Sequence, residues 1–294
     1  MKRLLWIAAL PLLLLSFLPG LSACSRSEDV IVFSTNKDGN FEIYATSPDG
    51  RKMLRLTNND WDDLYPSIYK NGDVIYVSRA SGKDDIYKTS LYDRAVKRLT
   101  FLKGANRYPT FSPDGKSILF ITDRDGGNFQ VYIMNADGQN QRPITINQYD
   151  NRSPSFSPDA KQIVFASRRE NDHYAIFIMN GDGSNTRQLT HNDDENFAPR
   201  FSRDGHKIAF YSDMDGDYAI YTMNPDGKNL KKITEAVPSV YPYWSADGQH
   251  FVFARFEGEG SKLAVIDADG KNLKTITDSK SLHLTPRWEK VQRR

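Results

Sequence analysis

Apolar residues in this chain come in short runs separated by turn chemistry, with no helical 3.6-residue periodicity, so each run predicts a β-strand. From Pro109 to Thr145 the pattern is complete. PTF predicts a first strand, a, and Ser112-Pro113-Asp114-Gly115 a tight turn in which glycine supplies the positive φ. SILFIT predicts strand b, Asp123 to Asn128 a turn, QVYIMN strand c, Ala136-Asp137-Gly138 another turn, and RPIT strand d. Strand b is apolar without alternation in three copies (ILFI, IVFA, IAFY), as in a sheet covered on both faces. Strand d alternates and carries Arg55, Lys97, Arg98, Arg142, Arg187, Lys231, Lys232 and Lys274, with Pro143 among them, which predicts an outer edge protected against pairing with other molecules. The proline opening strand a is expected to hold the preceding residue extended, at a position that needs no donor.

The pattern repeats six times. Pro-x-(Phe/Ile/Trp)-x-x-(Asp/Asn)-Gly recurs from Pro66, Pro109, Pro154, Pro199 and Pro242, and its opening returns as PRW at Pro286, with spacings of 43, 45, 45, 43 and 44 residues. A second unit alternates with it: IYATSPDGRKMLRLT at Ile43, VYIMNADGQNQRPIT at Val131, IFIMNGDGSNTRQLT at Ile176 and IYTMNPDGKNLKKIT at Ile220. Four short strands in a repeat of this length predict an all-β, six-bladed β-propeller. The first repeat lacks its strand a and the chain ends on a spare one, so the C-terminal strand near Pro286 should close the ring by pairing with the strand at Val30.

Residues 1–23 have the character of a targeting segment. Lys2 and Arg3 precede an apolar stretch from Leu4 to Leu18, broken by Pro11 and short for a membrane span. Leu21-Ser22-Ala23-Cys24 resembles the lipobox of bacterial lipoproteins, where cleavage leaves the cysteine as the new N-terminus and its sulfur takes a diacylglycerol. Cys24 is the only cysteine, which rules out a disulfide within the chain and makes it the expected lipidation site. Ser25 follows it, which by the same resemblance implies sorting to the outer membrane, facing the periplasm. The expected organisation is a leader at 1–23, a linker at 24–29, a propeller at 30–289 and a basic tail at 290–294. Two of the 39 basic residues lie in the leader, leaving 37 against 37 acidic ones. A neutral mature chain argues against nucleic acid as a partner.

FSPDGKSILFITDRDG and VYIMNADG resemble the repeats of the TolB-type β-propeller family, from Val30 to Trp288. The resemblance implies a propeller fold and a protein-binding role in the cell envelope. TolB itself has an α/β domain ahead of its propeller, and here Ser25 to Asp29 occupy that place. The repeats depart from the family pattern at Ala160, at YKNG from Tyr69 to Gly72, and at Leu263 to Asp267.

Strands alternate in direction, so the a–b and c–d turns, mostly Asp-Gly, share one face, while the b–c turns and the d–a loops share the other. The d–a loops are longer and more varied, the usual place for binding on a rigid scaffold. Together they carry a net charge of −5, with Asp62, Asp63, Asp150, Asp193, Asp194 and Glu195 among their acids. They also carry Trp61, Tyr65, Tyr108, Tyr149, Phe197 and Tyr241, residue types enriched at interface anchors. Arg107, Arg152 and His283 complete the candidate partner-binding set, with Trp61 the best exposed anchor and the two arginines expected to pair with neighbouring carboxylates. The linker enters at the Asp-Gly face, which should therefore lie toward the bilayer and leave the loop face free.

Asp213-Met-Asp-Gly-Asp217 begins like a calcium loop but has Asn224 where a bidentate glutamate is needed, so a hairpin turn accounts for it better. The five histidines fall without ligand spacing, and no nucleophile elbow or phosphate loop occurs, so neither catalytic residues nor a cofactor or metal is expected. The sequence predicts a non-catalytic, lipid-anchored, monomeric envelope propeller that binds a protein partner through its loop face. Its alternative is a glycan-binding or polysaccharide-lyase-like propeller, since aromatic and carboxylate residues at a channel mouth also suit sugars.

Overall fold

The computed structural model describes residues 27–292, except 170, 171, 192, 236 and 279; Cys24 and the leader lie outside the described residues. Six four-stranded antiparallel sheets carry all the strands among the described residues. Each is one predicted blade, and their a strands touch one another in a closed ring around a central axis. The strands at the b position are buried along most of their length, while those at the d position are only two or three residues long and largely exposed. Some of the basic residues of these edges pair within their blade, Arg55 with Glu42 at 3.0 Å, Arg98 with Asp85 at 2.7 Å and Lys232 with Asp215 at 3.0 Å, while Lys97, Arg187 and Lys231 donate to backbone carbonyls of Asp137, Pro225 and Asp269 in the next blade. The basic residues thus tie the outer edges to their own blade and to the next one.

Hydrophobic clusters fill the spaces between neighbouring blades. Val32 and Ile43 of the first blade pack with Val74 and Tyr76 of the second, and Ile31 and Phe33 pack with Val252 and Leu263 of the sixth. A polar clip inside each blade recurs six times. The threonine ending each d strand (Thr57, Thr100, Thr145, Thr190, Thr234 and Thr277) accepts a hydrogen bond from a strand-c backbone N–H at 2.8–2.9 Å. The short outer strand is thereby held by a side chain where its ladder ends. At the c–d turn, Gly138 has φ 95°, and a Cβ there would stand 2.7 Å from the Leu99 carbonyl of the preceding blade. Glycine is required by conformation and by close approach together.

Ring closure occurs as predicted and extends further. His283–Gln292 pairs antiparallel with Ser27–Thr35, with Ile31 opposite Trp288, Asp29 opposite Lys290 and Ser27 opposite Gln292. Ser27–Asp29, expected in a linker, and Lys290–Gln292, expected in a tail, are therefore strand, because Val291 buries completely against the first two blades and draws both ends into the ladder. Arg293 and Arg294 lie outside the described residues.

The local geometry at the repeat proline corrects the expectation for strand a. The preceding residue is left-handed rather than extended in all six blades: Tyr65, Tyr108, Ser153, Ala198, Tyr241 and Thr285 have φ between 49° and 57°. Strand a begins three residues before the proline, at Asp63, Asn106, Asn196, Ser239 and His283, and four before it at Asp150. The a–b pairing shifts register at each of these sites, a β-bulge whose missing N–H falls on proline.

Candidate functional site

The b–c turns and d–a loops are organised by carboxylates that accept backbone N–H groups. Asp62 accepts from Phe41 at 3.0 Å, Asp123 from Ala105 at 2.7 Å, Asp150 from Phe129 at 3.0 Å and Asp213 from Glu195 at 2.8 Å. Much of the acidity of this face is therefore structural. The first loop is pinned on both sides of its tip, since Asn59 accepts from the Trp61 N–H at 2.8 Å and donates to Asp63 at 2.8 Å. Trp61 itself stands out at the tip, 49% exposed.

The predicted set divides by position. Trp61 and Asp193 are exposed, and Asp62, Tyr149, Asp194, Glu195 and Phe197 are half-buried. Tyr149 lies beside the Arg169 guanidinium, 5.0 Å from its ring centre, at the edge of a shallow groove that includes Arg168 and Asp172. Asp62 faces Arg79 at 3.7 Å, Glu195 faces His173 at 3.6 Å, and Phe197 packs against Tyr174 with ring centres 4.8 Å apart. Both arginines pair with carboxylates as expected: Arg107 with Asp84, and Arg152 with Asp150 at 2.9 Å.

Asp63, Asp150 and His283 are buried at the starts of their strands, so they are not surface contacts of the loop face. Their places follow from strand a beginning three or four residues earlier than its proline suggests. Burial pushes the Asp63 carboxyl up to about 6 and outweighs the hydrogen bonding that lowers it. Burial also lowers His283, which packs edge-on to Phe33 with ring centres 5.7 Å apart.

Tyr65, Tyr108 and Tyr241 are also displaced from the rim, because the bulge turns them toward the axis. Tyr65 and Tyr108 have ring centres 4.3 Å apart, and Tyr241 packs edge-on to Tyr211 at 5.3 Å. Burial, with Tyr65 and Tyr241 nearby, pushes the Tyr108 hydroxyl well above its ordinary value, and burial pushes Tyr241 up to about 12. The three come from the second, third and sixth blades and lie close enough to act on one another, so they cluster at the axis. Sequence reasoning missed the exposed apolar residues that accompany Trp61: Phe101 at 67%, Leu102 at 55% and Ile146 at 86%. Each follows directly on a clip, after Thr100 or Thr145, where an apolar residue has no strand left to join.

The TolB beta propeller domain model matches residues 22–170 and 147–261. The chain belongs to the TolB β-propeller family. It is 33% identical over 110 residues to the Tol-Pal system protein TolB of Francisella tularensis subsp. mediasiatica, a match covering 36% of this chain and 25% of that protein. The matched region thus spans about a quarter of the curated TolB relatives. TolB from Acinetobacter baumannii superposes with a TM-score of 0.77 at 24% identity, over 88% of this chain and 66% of that one. A putative TolB from Agrobacterium tumefaciens gives 0.71 at 19% identity, over 90% and 99%. These structural likenesses concern the TolB propeller fold alone.

Proposed function

We propose that this protein is a lipid-anchored, non-catalytic propeller of the bacterial envelope that binds a protein partner through its loop face. The observation that carries this reading is the series of exposed apolar residues, Trp61, Phe101, Leu102 and Ile146, in three consecutive d–a loops. Exposed large apolar groups on rigid loops, rimmed by charge, are the ordinary material of an interface core. The position of the chain ends supports the same reading: the Gln292 N–H donates to the Lys70 carbonyl in an a–b turn, so both ends meet the Asp-Gly face. An anchor at Cys24 would hold that face toward the membrane and leave the loops free. Relatives named for the Tol-Pal system support an envelope setting and a protein partner.

Replacing Trp61, Phe101 and Ile146 together by alanine should abolish co-purification of the partner from solubilised envelopes while leaving the melting temperature unchanged. Alanine at Asp137 and Lys228, in the c–d turns, should leave the partner bound. Retention of the partner by the triple variant would sink the assignment of the face.

A further inference from the structure

The residue after each repeat proline lies on the innermost strand, and the six form a ring of Ser67, Thr110, Ser155, Arg200, Tyr243 and Arg287. All but Arg287 line a cavity of about 290 Å³ that includes Pro113 and Pro158 of the a–b turns, so it belongs to the Asp-Gly half of the channel. On its other side the tyrosine cluster stands at the axis.

Arg200 and Arg287 are 3% and 4% exposed. Arg200 Nη1 donates to the carbonyls of Ser153, Pro154 and Pro199 at 3.2, 3.2 and 3.0 Å, and Arg287 Nη1 to that of Pro286 at 3.2 Å. The Nε of each has no hydrogen-bond partner, and neither guanidinium has an ion pair among the described residues. The two are close enough that Arg287, after burial itself, lowers the proton affinity of Arg200. Arg287 lies over the Tyr243 ring, its Cζ 5.0 Å from the centre. Glu289, the one carboxylate on the cavity wall, is held by Arg203 at 3.1 Å. A guanidinium keeps its charge even when buried, and two like charges without a counter-ion are strongly destabilising. What fits is an anion in the cavity with an oxygen to meet the unpartnered Arg200 Nε–H, with the Arg287 guanidinium adding a second positive charge close behind it. Ser67, Thr110, Ser155 and Tyr243 add neutral hydroxyl donors around it.

We propose that the channel holds a small oxyanion, a carboxylate or a phosphate, bound by Arg200 with the charge of Arg287 behind it and entering from the Asp-Gly face. The site is independent of the partner surface, which lies on the opposite face. Its volume is at the small end of ligand pockets, so it takes a small molecule or the end of a chain rather than a polymer.

The full chain in detergent, in low-chloride Tris buffer, is titrated calorimetrically with inorganic phosphate, with glucuronate, and with glucose as a neutral control. At least one anion should bind one-to-one and glucose should not; binding of phosphate alone or glucuronate alone identifies the source. R200Q and R287Q should each weaken that binding by about tenfold or more. S155A, which keeps both charges, should weaken it only a few-fold and serves if an arginine variant fails to fold. The bound anion should also raise the melting temperature of the wild type and not that of R200Q. Absence of binding by both anions, equal binding of glucose, saturation by chloride without preference for an oxyanion, or unchanged affinity in R200Q would each overturn the proposal.

Discussion

Substitution of Trp288 by alanine strikes the ring where its two ends meet. Trp288 is 7% exposed, sits opposite Ile31 in the closing pair, and packs with Phe33, Tyr44, Val252 and Leu263, so it touches the first and last blades at once. Its indole N–H donates to Asp29 at 2.9 Å. Truncating a buried aromatic of this kind costs about 3–5 kcal/mol. Against a total stability of about 5–15 kcal/mol, that is a large fraction. For a domain of this size the melting temperature should fall by about 6–20 °C. W288F keeps most of the volume but leaves Asp29 without its donor, a cost of about 1–3 kcal/mol. Trp61→Ala, an equal truncation at an exposed tip, should change stability by no more than about 0.5 kcal/mol. Thermal and urea unfolding followed by circular dichroism would give the order. If W288A melted within two or so degrees of W61A, the closing strand would not hold the ring and the argument from its packing would be wrong.

Three further outcomes follow from the clips, the turns and the buried acid. Thr100→Val removes the acceptor of the Ile86 N–H and the donor to Asp85, at 2.9 and 2.7 Å, and should cost about 1–3 kcal/mol in urea unfolding, whereas Val at the exposed Thr186 should cost little. Gly138→Ala meets both a disfavoured φ and the Leu99 carbonyl, and should destabilise by at least about 1–3 kcal/mol; an unchanged melting temperature would remove the close-approach argument. Because the Asp63 carboxyl titrates near 6 in the folded protein and lower when unfolded, its contribution is fully present below about pH 4 and is lost as pH rises through about 6. Asp63→Asn should therefore match the wild type near pH 4 and exceed it by up to about 3 kcal/mol near pH 7.5, read from melting curves across that range; parallel curves would contradict the buried-acid assignment.

The blades, their order and the closing strand were legible because each rests on a repeated column of residue types. The apolar b strands, the Asp-Gly turns and the threonine ending each d strand recur at fixed offsets, and the structure gives each column one role. The bulge was not legible. A proline biases the residue before it toward extended backbone, and Tyr65, Tyr108, Ser153, Ala198, Tyr241 and Thr285 share no side-chain property that announces a left-handed φ. That one local departure carries most of the misplacement in the candidate site. It turns Tyr65, Tyr108 and Tyr241 to the axis, and the early start of strand a takes Asp63, Asp150 and His283 into the interior. Trp61 was legible as exposed because acids surround it in a loop with no periodicity. The column after the proline, with Arg200 and Arg287 among small polar residues, was visible in the repeats, but its meaning depends on knowing that strand a lines the channel.

Photo-crosslinking in intact cells reads out whether the loop face is the working surface. A photoreactive residue is placed singly at Phe101, at Ile146, and at Asp137 on the opposite face. One discrete protein adduct is expected from Phe101 and from Ile146, and none from Asp137. An adduct formed only from Asp137 would contradict that expectation.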